Sequence, residues 1–196
     1  MNIRRFLTTA AVTILVLAGT AGPARADTTF SSLPGVLYLC SFPGVPPQQV
    51  TAVEEFTGPG SVPAGESFSI TTISGTIFLG NGTRSLMRAV GYDGVRGSGM
   101  IPVTASNASP NSSDSGFVWE QIWPPLTGTI EFYAGSQSFV AGAPGTIVFK
   151  MGTPFSLALQ FHKASNNTWT SWIMNCNLKV TSPAQNTAFT PALPVT

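Results

Sequence analysis

Phe155-Ser156-Leu157-Ala158-Leu159-Gln160-Phe161 carries a bulky apolar side chain at every second position. A period of two belongs to a pleated strand, whose successive side chains face opposite sides, so Phe155, Leu157, Leu159 and Phe161 are expected to enter a core together. Thr129-Ile130-Glu131-Phe132-Tyr133 alternates in the same way. Working outward, further short runs of β-branched and aromatic residues read as strands: Val36 to Cys40, Phe68 to Leu79, Leu86 to Val90, Phe117 to Ile122, Gly128 to Tyr133, Thr146 to Met151 and Trp169 to Asn175. Gly58-Pro59-Gly60, Asn81-Gly82, Asp93-Gly94 and Gly142-Ala143-Pro144-Gly145 have the chemistry of tight reversals between them. No sustained helical period appears, and nothing is long enough for a βαβ crossover. The expected class is all-β, an antiparallel β-sandwich.

Toward the N-terminus the composition changes. Arg4 and Arg5 precede an apolar run from Phe6 to Ala18, followed by small residues and Ala24-Arg25-Ala26. This reads as a secretory signal peptide over residues 1–26, too short in its apolar part for the ~20 residues of a membrane-spanning helix. Cleavage would leave Asp27 first and remove three arginines. Nine basic residues then become six against eight acidic ones, a formal charge of minus two. Such a chain lacks the basic footprint that neutralises nucleic-acid phosphates or anionic lipid, so neither is expected as a partner. The two cysteines, Cys40 and Cys176, would reach an oxidising compartment and are expected to pair. Metal ligation and a reactive thiol are the competing readings, but two cysteines and the lone His162 do not fill a four-ligand structural zinc site without carboxylates, and no cofactor is expected.

The two ends of the exported part also resemble a known pattern. Leu37-Tyr38-Leu39-Cys40-Ser41-Phe42-Pro43 opens it and Trp172-Ile173-Met174-Asn175-Cys176-Asn177-Leu178 closes it. Val62-Pro63-Ala64-Gly65, Pro125-Leu126-Thr127-Gly128 and Ala143-Pro144-Gly145-Thr146 lie between them in order. Together these resemble a family of secreted actinobacterial domains of unknown function. The resemblance implies an immunoglobulin-like sandwich closed by one disulfide on or around the cell surface, and it carries no catalytic residues. One domain over residues 27–182 is expected, with a flexible loop near 104–116, where small polar residues have nothing to bury, and an extended tail over 183–196.

Chemistry is harder to find. A Ser-His-Asp arrangement would have to use His162, with Asp93 or Asp114 orienting it, and no G-x-S-x-G elbow is present. Glu54 and Glu55 are adjacent, so a strand sends them to opposite faces; Glu66, Glu120 and Glu131 are scattered enough to leave a hydrolytic carboxylate pair open. The Asn-x-Ser/Thr sequences at Asn81, Asn107, Asn111 and Asn166 read as turns. The least ordinary feature is aromatic: Trp119, Trp123, Trp169 and Trp172. Strand parity separates Trp169 from Trp172, while Trp119 and Trp123 share a face, either as a core ladder or as a surface for a ligand. The reading is a secreted or surface-associated, non-enzymatic domain that binds a wall polysaccharide or a surface protein through these indoles. A structural envelope component and a secreted hydrolase are the alternatives.

Overall fold

Alternation in sequence becomes alternation in burial: Phe155, Leu157, Leu159 and Phe161 are buried, while Ser156 and Ala158 face solvent. The structure, a computed structural model, describes residues 26–113 (backbone only at 111–113), 116–123 and 128–196. The signal-peptide reading therefore falls almost wholly outside the described residues, as do Asp114 and the Pro125-Leu126-Thr127 segment. In chain order the strands are β1 (Asp27–Ser31), β2 (Val36–Phe42), β3 (Val45–Pro59), β4 (Ser67–Leu79), β5 (Tyr92–Ser98), β6 (Val103–Ser106) and β7 (Ala108–Ser113). They continue with β8 (Phe117–Ile122), β9 (Thr129–Ala141), β10 (Gly145–Met151), β11 (Phe155–Lys163), β12 (Thr168–Leu178) and β13 (Leu193–Val195). One helix, α1 (Asn81–Ala89), interrupts them. The protein is all-β with antiparallel ladders, and Cys40 is bonded to Cys176, as expected from the sequence.

The strand order goes beyond what the sequence specified. The large sheet runs β1-β3-β2-β12-β11-β5-β8-β9-β4, and β4 also pairs with β3. The strands from β3 round to β4 thus form a ring without free edges, which removes the unpaired backbone groups an open sheet exposes. The long strands β3 and β4 reach past the ring, where β3 pairs β1, and β9 continues alongside to pair β7. Over that extension lies the small sheet β13-β10-β6. Phe149 of β10 is its anchor, with ring centroids 5.4 Å from Phe30, 5.2 Å from Phe56 and 5.6 Å from Phe139. Inside the ring, Phe161 meets Phe42, Tyr92 and Trp123 edge-on, and α1 adds the buried Met87.

Two joins in the ring are short. Strands β2 and β12 share three register pairs, the first being Cys40 opposite Cys176. Strands β8 and β9 share one, Phe117 opposite Tyr133. Beyond it, the Gln121 side chain takes the place of a strand neighbour. Its Nε2 donates to the Glu131 carbonyl at 3.1 Å and its Oε1 accepts the Glu131 N–H at 3.1 Å. The Trp123 indole N–H donates to the Thr129 carbonyl at 2.7 Å further along. Gln121→Ala strips both bonds from the Glu131 backbone and is expected to lower stability by about 1–2 kcal/mol. Hydrogen exchange checks the location: the Glu131 amide should exchange faster in the variant, and unchanged protection there would refute this role.

Several expectations need correction. Leu86 to Val90 is not a strand and Asn81-Gly82 is not a hairpin turn; both belong to α1. Thr83 and Met87, four residues apart, are its buried face, and Leu86 lies exposed beside polar residues on the other, so the short apolar run misled. Asp93-Gly94 lies within β5, where glycine serves close approach instead of a reversal: a Cβ at Gly94 would sit 2.7 Å from the Gln121 carbonyl oxygen. Among the described residues, 104–113 are largely strand. Strands β6 and β7 each pair along one ladder, with β10 and β9, so backbone pairing organises a stretch whose composition reads as a loop. The tail over 183–196 is extended but docked, with Phe189, Leu193 and Val195 buried.

Candidate functional site

In an antiparallel sheet, directly paired residues share a face, so the register maps the outer surface of the ring. One row runs Ile173, Ala158, Ser98, Phe117 and Tyr133 across β12, β11, β5, β8 and β9. It continues through Ser74 on β4 to Glu55 on β3. Ile173 and Phe117 are each 54 % exposed, with only Ala158 and Ser98 between them. Small residues between large ones leave a shallow depression of about 430 Å³, lined by Gly97, Ala158, Gln160, Ser171 and Ile173 among others. Beside Phe117, the Trp119 ring stacks on Tyr133 at 4.3 Å between centroids and 20° between planes. Trp119 remains 37 % exposed.

A second row, two residues along, is polar. Arg96 donates from Nε to Gln160 Oε1 at 2.8 Å and from Nη1 to Glu120 Oε2 at 3.0 Å, while its guanidinium lies 4.1 Å over the Trp169 ring. His162 sits against the other indole contact, 5.0 Å from the Trp169 centroid. Its Nδ1 is 2.5 Å from Asp93 Oδ1 and its Nε2 is 2.9 Å from Asn167 Oδ1. Two acceptor oxygens favour a ring carrying both protons, and the Asn167 contact, followed by Asp93, holds the His162 pKa above its ordinary value. Asn167 presents that oxygen from a left-handed turn residue, φ 52°.

The four tryptophans therefore have different places. Trp119 lies on the outer face, and Trp169 lies there too but is clasped by Arg96 and His162. Trp123 is buried against Phe161 and belongs to the core. Trp172 pairs with the buried Leu159 and is half-buried, its indole N–H donating to the Ser41 carbonyl at 3.1 Å. Trp119 and Trp123 part company because β8 holds one extra residue: Gly97 pairs with Val118 but Val95 pairs with Gln121, and that bulge reverses parity. Cys40 and Cys176 lie inside, fully buried. Phe117, Tyr133, Arg96 and Ile173 join the outer face without having been singled out. Tyr133 was readable, since alternation with buried Ile130 and Phe132 sends it outward.

Of the hydrolytic arrangements, the structure brings His162 to Asp93 and gives it no hydroxyl: among the described residues, both ring nitrogens contact oxygens of Asp93 and Asn167. Glu54 and Glu55 do point to opposite faces, Glu54 being fully buried and Glu55 exposed. Among the described residues no group of three or more His, Cys, Asp or Glu side chains could hold a metal ion, and no helix is long and apolar enough to cross a membrane.

The model of a family described as a family of unknown function (DUF6801) matches residues 37–190. The chain belongs to the DUF6801 family. No curated protein and no solved structure matches it. The matched part of the DUF6801 domain contains both cysteines and the whole row from Ile173 to Glu55, so the outer face lies within the family's span.

Proposed function

We propose that this DUF6801 domain is an exported, non-enzymatic binding domain that holds a wall polysaccharide against the outer face of β8, β9, β5 and β11. The observation that carries this reading is the exposed Trp119–Tyr133 stack with Phe117 beside it on one sheet face. Flat aromatic rings bury the C–H face of a sugar with little conformational entropy to lose, and the adjacent Gln160 and Ser171 offer hydroxyl-matching donors and acceptors along the depression. Export is supported by the leader-like residues 1–26 and by a disulfide, which persists in oxidising compartments. A non-enzymatic role is supported by the His162 ring, whose nitrogens are both engaged.

The test is retention of the oxidised protein on purified cell wall, chitin and cellulose, with tryptophan emission followed during titration. Saturable binding with an emission shift is expected for one of them. Trp119→Ala should weaken it about thirtyfold, equivalent to ~2 kcal/mol, as for an aromatic anchor at the centre of an interface. Binding that survives this substitution unchanged would remove the outer face from consideration.

A further inference from the structure

The carboxylates around the aromatic stack are unevenly matched. Glu120 is neutralised by Arg96 at 3.0 Å. Glu55 and Glu131 have no cationic partner among the described residues, and the side-chain contact of Glu131 is the Thr129 hydroxyl at 3.5 Å. Both flank Tyr133. Glu55 ends the row Phe117, Tyr133, Ser74, Glu55, and Glu131 faces outward two residues before Tyr133 on the same strand. The Tyr133 phenol is raised above its ordinary value by burial and then by the Glu131 charge, which places that carboxylate within electrostatic reach of the ring. Beside Glu55 lies a small polar depression of about 120 Å³, lined by Glu54, Glu55, Ser74, Thr76 and Tyr133 among others, and Thr76 is the cross-strand partner of Glu131.

We infer that this corner of the outer face takes the ammonium group of an amino sugar, so that the polysaccharide held there carries free amines. The inference rests on the reading proposed above. Aromatic faces attract cations through their quadrupole, and unpaired carboxylates at the edge of the same rings supply the charge complement. The polar depression starts at Tyr133 and follows the row through Ser74 to Glu55, two strand spacings of ~4.8 Å, with Glu54 and Gly75 also in its lining. A chain of amino sugars seated on the Trp119–Tyr133 stack carries one amine per ring, so successive rings bring a charge along the row from Tyr133 through Ser74 to Glu55.

The experiment compares a glucosamine hexamer with its fully N-acetylated counterpart, titrated into the oxidised protein at about pH 5.5, where primary amines are protonated. Acetylation removes the charge and keeps the ring. The free-amine oligomer is expected to bind about tenfold or more tightly, and the double variant Glu55→Gln with Glu131→Gln is expected to abolish that preference while its urea midpoint stays near that of the parent. Equal affinities for the two oligomers would overturn the ammonium inference and leave the aromatic face standing. Failure of both to bind would overturn the ammonium inference, and the reading beneath it would fall only if cell wall and cellulose also failed to retain the protein. A lysine-rich peptide that binds where the glucosamine oligomer does not would overturn the assignment to a sugar.

Discussion

Replacing Cys40 and Cys176 together by alanine is expected to lower the unfolding free energy by about 5 kcal/mol, the chain-entropy value for a loop as long as the 136-residue separation between them. Residual structure in the unfolded chain makes this an upper figure. Domains of this size hold a margin of roughly 5–15 kcal/mol, so the loss removes a third or more of it. The position of the bond sharpens the expectation. It spans β2 and β12, whose ladder is three pairs long, and this join connects the N-terminal hairpin of β2 and β3 to the C-terminal hairpin of β11 and β12. Without the bond, ring closure at that point depends on three backbone pairs, on the Trp172 and Asn175 N–H bonds to Ser41 and on the burial of Tyr38. Urea unfolding of the oxidised parent and of the double variant measures the difference. A change below about 1 kcal/mol would mean that the two hairpins are held together by the core alone.

The ring itself is where sequence reading reaches its limit. The strand with the strict period, β11, was legible because every inward residue is large and apolar. Strand β3 was not: it begins Val45-Pro46-Pro47-Gln48-Gln49 and carries Glu54-Glu55 in its middle, so its composition resembles a loop. Its inward positions are nevertheless Val50, Ala52, Glu54 and Phe56, an alternation broken by one carboxylate. That single residue hid the longest strand of the fold. Strands β6 and β7 were hidden for a different reason, since a strand lying alongside a partner draws its hydrogen bonds from that partner whatever its composition.

The candidate site shows the same division. Which cysteines pair, and that one of Trp169 and Trp172 points outward, follow from composition and parity. That Trp119 and Trp123 separate does not, because a bulge is set by the register against β5 and leaves no mark in β8 itself. The stack of Trp119 on Tyr133 depends on bringing β8 beside β9, and that join is made by one backbone pair, the Gln121 amide and the Trp123 indole N–H. A side chain that imitates a peptide group has no periodicity by which to be found.

Glu54 is expected to make the protein more stable in acid than at neutral pH, and Glu54→Leu to raise stability at pH 7 by about 2–4 kcal/mol. The carboxyl is fully buried, and neither oxygen has a hydrogen-bond partner. Across the ladder it faces Gly75, whose missing side chain is replaced by the Phe132 ring: a Cβ there would lie 2.1 Å from that ring. Tyr38, whose phenol is raised by burial and then by the Glu54 charge, directs its hydroxyl to the Gly152 carbonyl at 3.1 Å and not to the acid. Burial therefore holds the Glu54 pKa well above its ordinary value of 4.5. A raised acid pKa means that the folded state keeps a proton which the unfolded chain releases. Its contribution is whole below about pH 4.5 and is lost as pH rises toward the folded value, at up to ~1.4 kcal/mol per pH unit. Unfolding free energies from pH 4 to pH 8 should show the parent falling while Glu54→Gln, which has no proton to release, loses that component of the slope. The gap between parent and Glu54→Leu should widen over the same range. Parallel profiles for all three proteins would show that the carboxyl has found a partner inside the fold.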